Sequence, residues 1–163
     1  ALLHDVGKIG IPEYVLNKEG KLTDEEYEII KGHVEASIDI IRHLPSLDYV
    51  IPAVIGHHER YDGKGYPDGL KGEEIPISAQ VVAIADVYDA LVGKRVYKKA
   101  FSHETAIHMI LNGECGAFNP LLLECLTDIQ NRLKEETKSG FNKKENEEFF
   151  PNLSEEIKEE TKK

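Results

Sequence analysis

Apolar side chains recur at three- and four-residue steps along most of this sequence, and nowhere do they alternate convincingly with polar ones. The clearest run follows Thr23 and Glu26, which have the spacing of an N-terminal capping box. Its apolar positions are Tyr27, Ile30, Val34, Ile38, Ile41 and Leu44. A period near 3.6 residues is typical of amphipathic helices. The sequence therefore predicts an all-α fold in which one long helix ends near Pro45.

Further helices are predicted from their apolar periods and end signals. Asp48 and Pro52 mark the start of a helix that reaches about residue 59 and carries a pair of histidines in its last turn. The starts of the remaining helices are marked by Ser78, Ser102 and Asn119 with Pro120. The apolar helix after Ser78 stops at Gly93.

Residues 60–77 contain Gly63, Gly65, Gly69, Gly72, Pro67 and Pro76. This density of helix and strand breakers predicts a long, structured loop. Glycine tolerates positive φ and leaves room for close backbone approach. Gly63 and Gly65 therefore permit positive φ and remove side-chain bulk, so we expect the backbone of this loop to approach a ligand closely.

The formal net charge is −10. Residues 135–163 hold nine Glu and six Lys, or −3, which leaves −7 for the rest of the chain. An acidic body disfavours nucleic acid polymers and anionic membranes as partners. No apolar run approaches the ~20 residues that a membrane-spanning helix needs. The two cysteines form no CxxC pair, which indicates reduced thiols and a cytoplasmic protein.

The 163 residues suit one domain, predicted over residues 1–134. The apolar period then fails, and residues 135–163 are predicted to be a flexible charged tail or linker. The chain opens on ALLHDVGKIG without an initiator Met. We therefore expect an N-terminal truncation that removes upstream helices.

Histidine and aspartate occur in pairs where metal ligands are useful. His57 and His58 point about 100° apart if they end a helix, so they can reach two different ions. His4 beside Asp5 offers a nitrogen and an oxygen ligand. Asp86 interrupts an apolar helix, where an acid is costly to bury unless it is paired or bound to metal. Asp89 remains an alternative structural partner.

His33 taken alone is equally well explained as a buried imidazole paired with a carboxylate, and the remaining three histidines, His43, His103 and His108, are interpreted as ordinary residues. The candidate ligands are His4, Asp5, His33, His57, His58 and Asp86. This set contains no Cys, which favours iron or manganese over a closed zinc site, and its size favours two ions. The cations Lys8, Arg95 and Lys98 then predict a phosphate ligand in an otherwise acidic protein.

The chain resembles the HD-GYP domains, a branch of the HD metal-dependent phosphohydrolase superfamily. The resemblance rests on HDxGK at 4–8, a histidine at 33, HHExxDGxGYP at 57–67 and Asp86. It implies an HD-domain-like helical bundle with two or three metal ions. It also implies hydrolysis of the bacterial second messenger cyclic di-GMP to linear pGpG or GMP.

By position, the resemblance assigns the six candidate ligands to metal, Asp5 and Lys8 to catalysis, and Gly65, Tyr66, Arg95 and Lys98 to substrate. Tyr66 either stacks on guanine or only packs.

Three positions differ from what is common in the family: Ser37 replaces a glycine, Val96 a proline and Asn119 an aspartate. The alternative function is a module that binds cyclic di-GMP or a protein without cutting. An upstream sensory or receiver domain and a homodimer are further expectations.

Overall fold

The computed structural model describes residues 3–93 and 100–138. Within these ranges the helices are α1 Glu13–Leu16, α2 Asp24–Lys31, α3 His33–Ile41, α4 Ile51–Gly56, α5 Ile77–Val92, α6 His103–Leu111 and α7 Pro120–Lys138. Three 3₁₀ turns cover Val6–Gly10, Pro45–Val50 and Gly72–Glu74. The described ranges hold no strand, only an isolated bridge between Asp62 and Lys71. The all-α fold class is confirmed.

None of the described helices combines the length and the apolar character that crossing a membrane requires.

The single long helix predicted after Thr23 is wrong, because it is divided into α2 and α3 at Gly32. Glycine is a weak helix former, and its effect was hidden by an apolar period that runs through it. The predicted capping box is confirmed. Thr23 Oγ1 accepts from the backbone N–H of Glu26 at 3.2 Å, and the Glu26 carboxylate accepts from the Thr23 N–H at 2.7 Å. His33 is consequently the first residue of α3 rather than a mid-helix residue.

Three helix ends differ from expectation. Asp48 lies inside a 3₁₀ turn and caps nothing, because α4 begins at Ile51 with its proline in the first turn. The same helix ends at Gly56, so His57 is its C-cap. Pro76, whose ring fixes φ, precedes α5 in place of the predicted Ser78 cap.

The caps of α6 and α7 are confirmed. Ser102 Oγ accepts from the backbone N–H of Thr105 at 3.2 Å. Asn119 Oδ1 accepts from the N–H of Leu121 at 2.9 Å.

The core joins the segments that carry the candidate ligands. Its buried centre consists of Val34, Ile38, Ile41 and Val54, from α3 and α4. The first 3₁₀ turn packs on α3, and α5 packs on α4 and α6. Gly7 makes the first of these contacts possible, since a Cβ there would lie 2.2 Å from the carbonyl oxygen of His33. The fold thus brings four ligand-bearing segments around one core.

The loop after the histidine pair is held by glycines of two kinds. Gly63 has φ +77° as expected. Gly65 does not have positive φ, and its lack of a side chain matters for another reason. A Cβ at Gly65 would lie 2.4–2.5 Å from the backbone of residues 58–60, so glycine is needed there for close approach. The loop therefore folds back onto the histidine pair itself.

The chain divides into two compact units, Ala1–Glu124 and Cys125–Lys163. Every candidate ligand lies in the first unit. The predicted domain boundary after residue 134 stays a prediction, and residues 139–163 of the predicted tail lie outside the described residues.

Candidate metal centre

Asp5 is shared by two groups of side chains whose potential ligand atoms come together. One group consists of Asp5, His33, His57 and His58, and the other of His4, Asp5 and Asp86. Within each group the ligand atoms all lie within 4.8 Å of one another. The structure therefore brings all six candidate ligands to one place, and their role as ligands stays a prediction.

The two oxygens of Asp5 face different neighbours. Oδ1 lies 3.2 Å from His33 Nε2 and 3.8 Å from His57 Nε2. Oδ2 lies 3.4 Å from His4 Nε2 and 2.5 Å from Lys8 Nζ. The same His4 Nε2 is 3.5 Å from Asp86 Oδ1. A carboxylate in this position can give one oxygen to each of two ions.

Backbone carbonyls fix the tautomers of two imidazoles. His33 Nδ1 lies 2.6 Å from the Ile30 carbonyl oxygen, and His57 Nδ1 lies 2.7 Å from the Val54 carbonyl oxygen. A carbonyl oxygen can only accept, so each Nδ1 carries the proton and donates it. Each Nε2 then keeps a lone pair directed at Asp5. This arrangement is typical of metal-ligating histidines.

Four buried polar atoms in this centre have no hydrogen-bond partner among the described residues: Asp5 Oδ1 and the Nε2 atoms of His33, His57 and His58. The contacts of His33 and His57 with Asp5 have ion-pair distances but lack hydrogen-bond geometry. Buried polar atoms without partners are destabilising and uncommon. Four such atoms facing one another fit a divalent cation, which accepts nitrogen and oxygen ligands together.

The pKa shifts in the centre favour the protonation states that metal binding needs. Burial, together with the neighbouring His57 and His33, lowers the pKa of His58 to about 3. Burial opposes ionisation of Asp5, but the Lys8 ammonium that contacts its Oδ2 favours the ionised form and helps hold its pKa below the usual range. The contact with His4 likewise lowers the pKa of Asp86. Neutral imidazole and ionised carboxylates are the forms that bind metal.

Lys8 stands at the edge of the centre. Its side chain is 35% exposed, and its ammonium contacts Asp5 Oδ2 on the side facing His4. This position lets one cation contact both the Asp5 carboxylate and a ligand arriving from solvent. The catalytic role predicted for Lys8 is compatible with this position and stays a prediction.

Tyr66 packs on a candidate ligand. Its ring stacks on His58 with centroids 4.7 Å apart and an interplanar angle of 25°. Tyr27 contacts it edge to face at 6.1 Å, and Lys31 Nζ lies 5.6 Å from its centroid. Burial raises the pKa of the phenol, which is therefore neutral. The packing alternative thus has direct contacts, while stacking on guanine stays a prediction.

Glu59, the third residue of the HHE motif, was not singled out from the sequence. Its side chain is buried, and its carboxylate accepts three backbone N–H groups of the loop. Oε1 lies 2.7 Å from the Asp68 nitrogen and 3.0 Å from that of Gly69, and Oε2 lies 3.0 Å from that of Leu70. Glu59 therefore ties the glycine-rich loop to the end of α4. The sequence signal that could have indicated this role is an acidic residue directly before a glycine-rich loop, whose backbone N–H groups need acceptors.

The other candidates fall outside both ligand groups or outside the described residues. Arg95 and Lys98, like Val96, belong to residues 94–99, which lie outside the described ranges. Asp89 is exposed on α5 and takes no part in either group. The three histidines interpreted as ordinary residues, His43, His103 and His108, also belong to neither ligand group. His103, for example, contacts the Tyr88 hydroxyl at 2.8 Å.

Asn119 has a structural role that an aspartate could not reproduce. Its Nδ2 donates to Gln80 Oε1 at 2.9 Å, while its Oδ1 accepts from the Leu121 N–H. Gln80 in turn donates to the Ile75 carbonyl oxygen at 2.7 Å. An ionised carboxylate has no donor for Gln80. Both polar atoms of the Asn119 side chain thus have hydrogen-bond partners in this buried position.

Comparisons with known proteins agree with this geometry. Residues 1–117 match the HD domain family. A cyclic di-GMP phosphodiesterase of Vibrio cholerae is 45% identical over 139 residues, covering 81% of this chain and 28% of the relative. A cyclic di-GMP phosphodiesterase of Thermotoga maritima is 42% identical over 148 residues, covering 85% and 40%. A 3′3′-cGAMP-specific phosphodiesterase of Vibrio cholerae is 42% identical over 130 residues, covering 77% and 24%. The matched part is less than half the length of each relative.

Proposed function

The chain belongs to the HD domain family, and from this premise we propose that its metal centre hydrolyses a phosphodiester bond of cyclic di-GMP. The HD domain implies binding of divalent metal. The observation that carries the proposal is the position of Asp5 between two groups of ligands, because a shared carboxylate is what a two-metal hydrolase requires.

We propose two ion positions in this centre. His33, His57, His58 and Asp5 Oδ1 supply one position, and His4, Asp86 and Asp5 Oδ2 supply the other. The second position would have fewer protein ligands, so an ion held there could also take water or a phosphate oxygen as a ligand. Nitrogen and oxygen ligands without thiolate favour iron or manganese. A third ion would need a ligand beyond these six.

When bound, the ions supply the Lewis acidity that activates water and offsets charge on the phosphate oxygens. The protein residues then have separate tasks. The neutral imidazoles and the two carboxylates hold the centre, and the Nδ1 contacts keep His33 and His57 oriented. Lys8 offsets negative charge on the leaving oxygen or protonates it. Arg95 and Lys98, which follow the helix of Asp86 in the sequence, are proposed to bind substrate phosphate.

The choice of substrate follows from charge and from the relatives. A net charge of −10 disfavours a nucleic acid polymer, whereas a small cyclic dinucleotide can be bound by a few local cations. Two of the relatives named above are cyclic di-GMP phosphodiesterases and one is specific for 3′3′-cGAMP. We propose cyclic di-GMP as substrate, with linear pGpG or GMP as product. Regulation by a sensory or receiver domain and dimerisation belong to the same proposal.

The test is turnover of both cyclic dinucleotides by protein loaded anaerobically with Mn²⁺ or Fe²⁺. Asp5→Asn keeps the side-chain shape but removes the shared charge, so it should abolish hydrolysis. The matched control is His43→Gln, since His43 is exposed and outside both ligand groups. Metal-dependent cleavage that is lost only in Asp5→Asn supports the proposal. Binding without cleavage by fully loaded wild type would instead support a non-catalytic binding module.

A further inference from the structure

The Ser37 hydroxyl links the two segments that carry three of the ligands. Ser37 lies on α3, and its side chain is completely buried. Its Oγ accepts from the backbone N–H of Gly7 at 2.8 Å and donates to the carbonyl oxygen of His4 at 3.3 Å. These two bonds bracket Asp5, one residue before it and two residues after it. One hydroxyl therefore holds the backbone on both sides of the shared carboxylate.

The segment that carries His4 and Asp5 has little regular structure of its own. It is a turn followed by one short 3₁₀ turn, Val6–Gly10. Its local backbone bonds include Val6 N–H to Leu3 oxygen at 3.3 Å and Lys8 N–H to Asp5 oxygen at 2.9 Å. Short 3₁₀ turns have poorer hydrogen-bond geometry than α-helices. The position of this segment therefore depends on its tertiary contacts, and α3 is its main packing partner.

The contact with α3 is close enough to fix distances between ligands. A Cβ at Gly7 would lie 2.5 Å from the Ser37 backbone nitrogen, so the two backbones are separated by no side chain. Ser37 also lies four residues after His33, on the same face of the helix. The hydroxyl thus sets the position of Asp5 relative to the imidazole that faces it at 3.2 Å.

We infer that Ser37 is a positioning residue for the metal centre, which holds His4 and Asp5 at the distance from His33 that ion binding requires. This inference rests on the metal binding of the proposed function but not on its substrate. Ligands must be held to within about 0.5 Å of productive geometry, and loss of a supporting hydrogen bond typically weakens metal binding about 10–100-fold. Both Ser37 bonds act on the segment of His4 and Asp5, so the position completed by Asp86 is affected most.

The test is calorimetric titration of the metal-free protein with Mn²⁺. Ser37→Ala removes both hydrogen bonds without adding bulk, and we expect it to weaken binding about 10–100-fold. Ser37→Cys keeps a side chain of similar size with a weaker donor and acceptor, and should lie between wild type and alanine. The matched control is Ile41→Val, one turn further along α3 and equally buried, which removes packing but no hydrogen bond to the ligand segment. Its affinity should stay within about twofold of wild type, because no ligand contact changes.

Thermal unfolding of the metal-free variants separates positioning from general stability. A purely structural Ser37 would lose melting temperature as Ile41→Val does, with Mn²⁺ affinity unchanged in both, and this result would overturn the inference. If Ser37→Ala does not fold, an unchanged Mn²⁺ affinity in Ser37→Cys overturns it equally. Wild type that binds Mn²⁺ but cleaves no cyclic dinucleotide would refute the proposed function alone. Wild type that binds neither Mn²⁺ nor Fe²⁺ would refute both.

Discussion

Tyr66 lies flat against His58, with ring centroids 4.7 Å apart. This contact joins the two ends of the HHE to GYP motif, because one ring comes from the end of α4 and the other from the loop that folds back onto it. The Tyr66 N–H also donates to the His58 carbonyl oxygen at 3.2 Å. The loop therefore supports a candidate ligand through both a side chain and the backbone.

Replacing Tyr66 distinguishes this support from contact with substrate. Tyr66→Leu removes the ring that stacks on His58, so Mn²⁺ affinity should fall about tenfold, as for loss of other groups that orient a ligand. Tyr66→Phe keeps the ring and should retain wild-type Mn²⁺ affinity in calorimetry. If Tyr66→Phe raises KM for cyclic di-GMP while leaving metal affinity unchanged, the hydroxyl contacts substrate. Equal metal affinity in Tyr66→Leu and wild type would contradict the supporting role.

Glu59→Gln should destabilise the protein by about 2 kcal/mol, within the range for hydrogen bonds to a charged group. The amide nitrogen would replace one acceptor oxygen and face a backbone N–H, either at Leu70 or at Asp68 and Gly69. Urea unfolding measures the loss. Glu74→Gln is the matched control, since Glu74 is an exposed acid of the same loop that accepts from the Lys71 N–H. Equal stability of the two variants would show that Glu59 does not anchor the loop.

The metal-free protein should lose stability as pH falls below about 6.5. The unfolded chain takes up a proton at His58 near the ordinary histidine pKa of 6.5, whereas the folded chain resists protonation until about pH 3. The contribution of His58 to the free energy of unfolding is therefore fully present above pH 6.5. It falls by about 1.4 kcal/mol per pH unit between pH 6.5 and pH 3. The stability that Asp5 and Asp86 contribute through their lowered pKa values is present above about pH 4, the ordinary Asp pKa, and is lost only below it.

Urea unfolding of chelator-treated protein between about pH 6 and pH 4.5 isolates the His58 contribution. Glutamine takes up no proton in this pH range. The free energy of unfolding of His58→Gln should therefore fall less steeply than that of wild type, and the two slopes should differ by about 1.4 kcal/mol per pH unit. Parallel pH dependence in wild type and His58→Gln would mean that the imidazole is protonated in the folded state.

Candidate ligands of the centre could be predicted from the sequence where the residue type is unusual among its sequence neighbours. His57 beside His58, and Asp86 inside an apolar helix, are such cases. His33 was not decided by its own surroundings, because a single histidine on a helix packs as easily as it binds metal. Its partner Asp5 is distant in the sequence and belongs to another segment, so only the tertiary structure brings the two together.

Other features could not be predicted because they depend on backbone atoms, which every residue has. The carbonyl oxygens of Ile30 and Val54, which set the tautomers, carry no sequence signal. Gly65 illustrates a related ambiguity, since positive φ and close backbone approach both select glycine and only coordinates separate them. The break at Gly32 was hidden for a different reason, because the apolar period continues across it.

The most direct test of the central claim is the metal content of anaerobically purified protein, measured by elemental analysis for wild type and two variants. With Asp5 shared between two positions, wild type should hold about two equivalents of iron, manganese and zinc combined. Asp86→Asn should retain about one equivalent, because the group of His33, His57 and His58 remains, and Asp5→Asn should lose both ions. Less than about half an equivalent in wild type, or an unchanged content in Asp5→Asn, would contradict a two-metal centre.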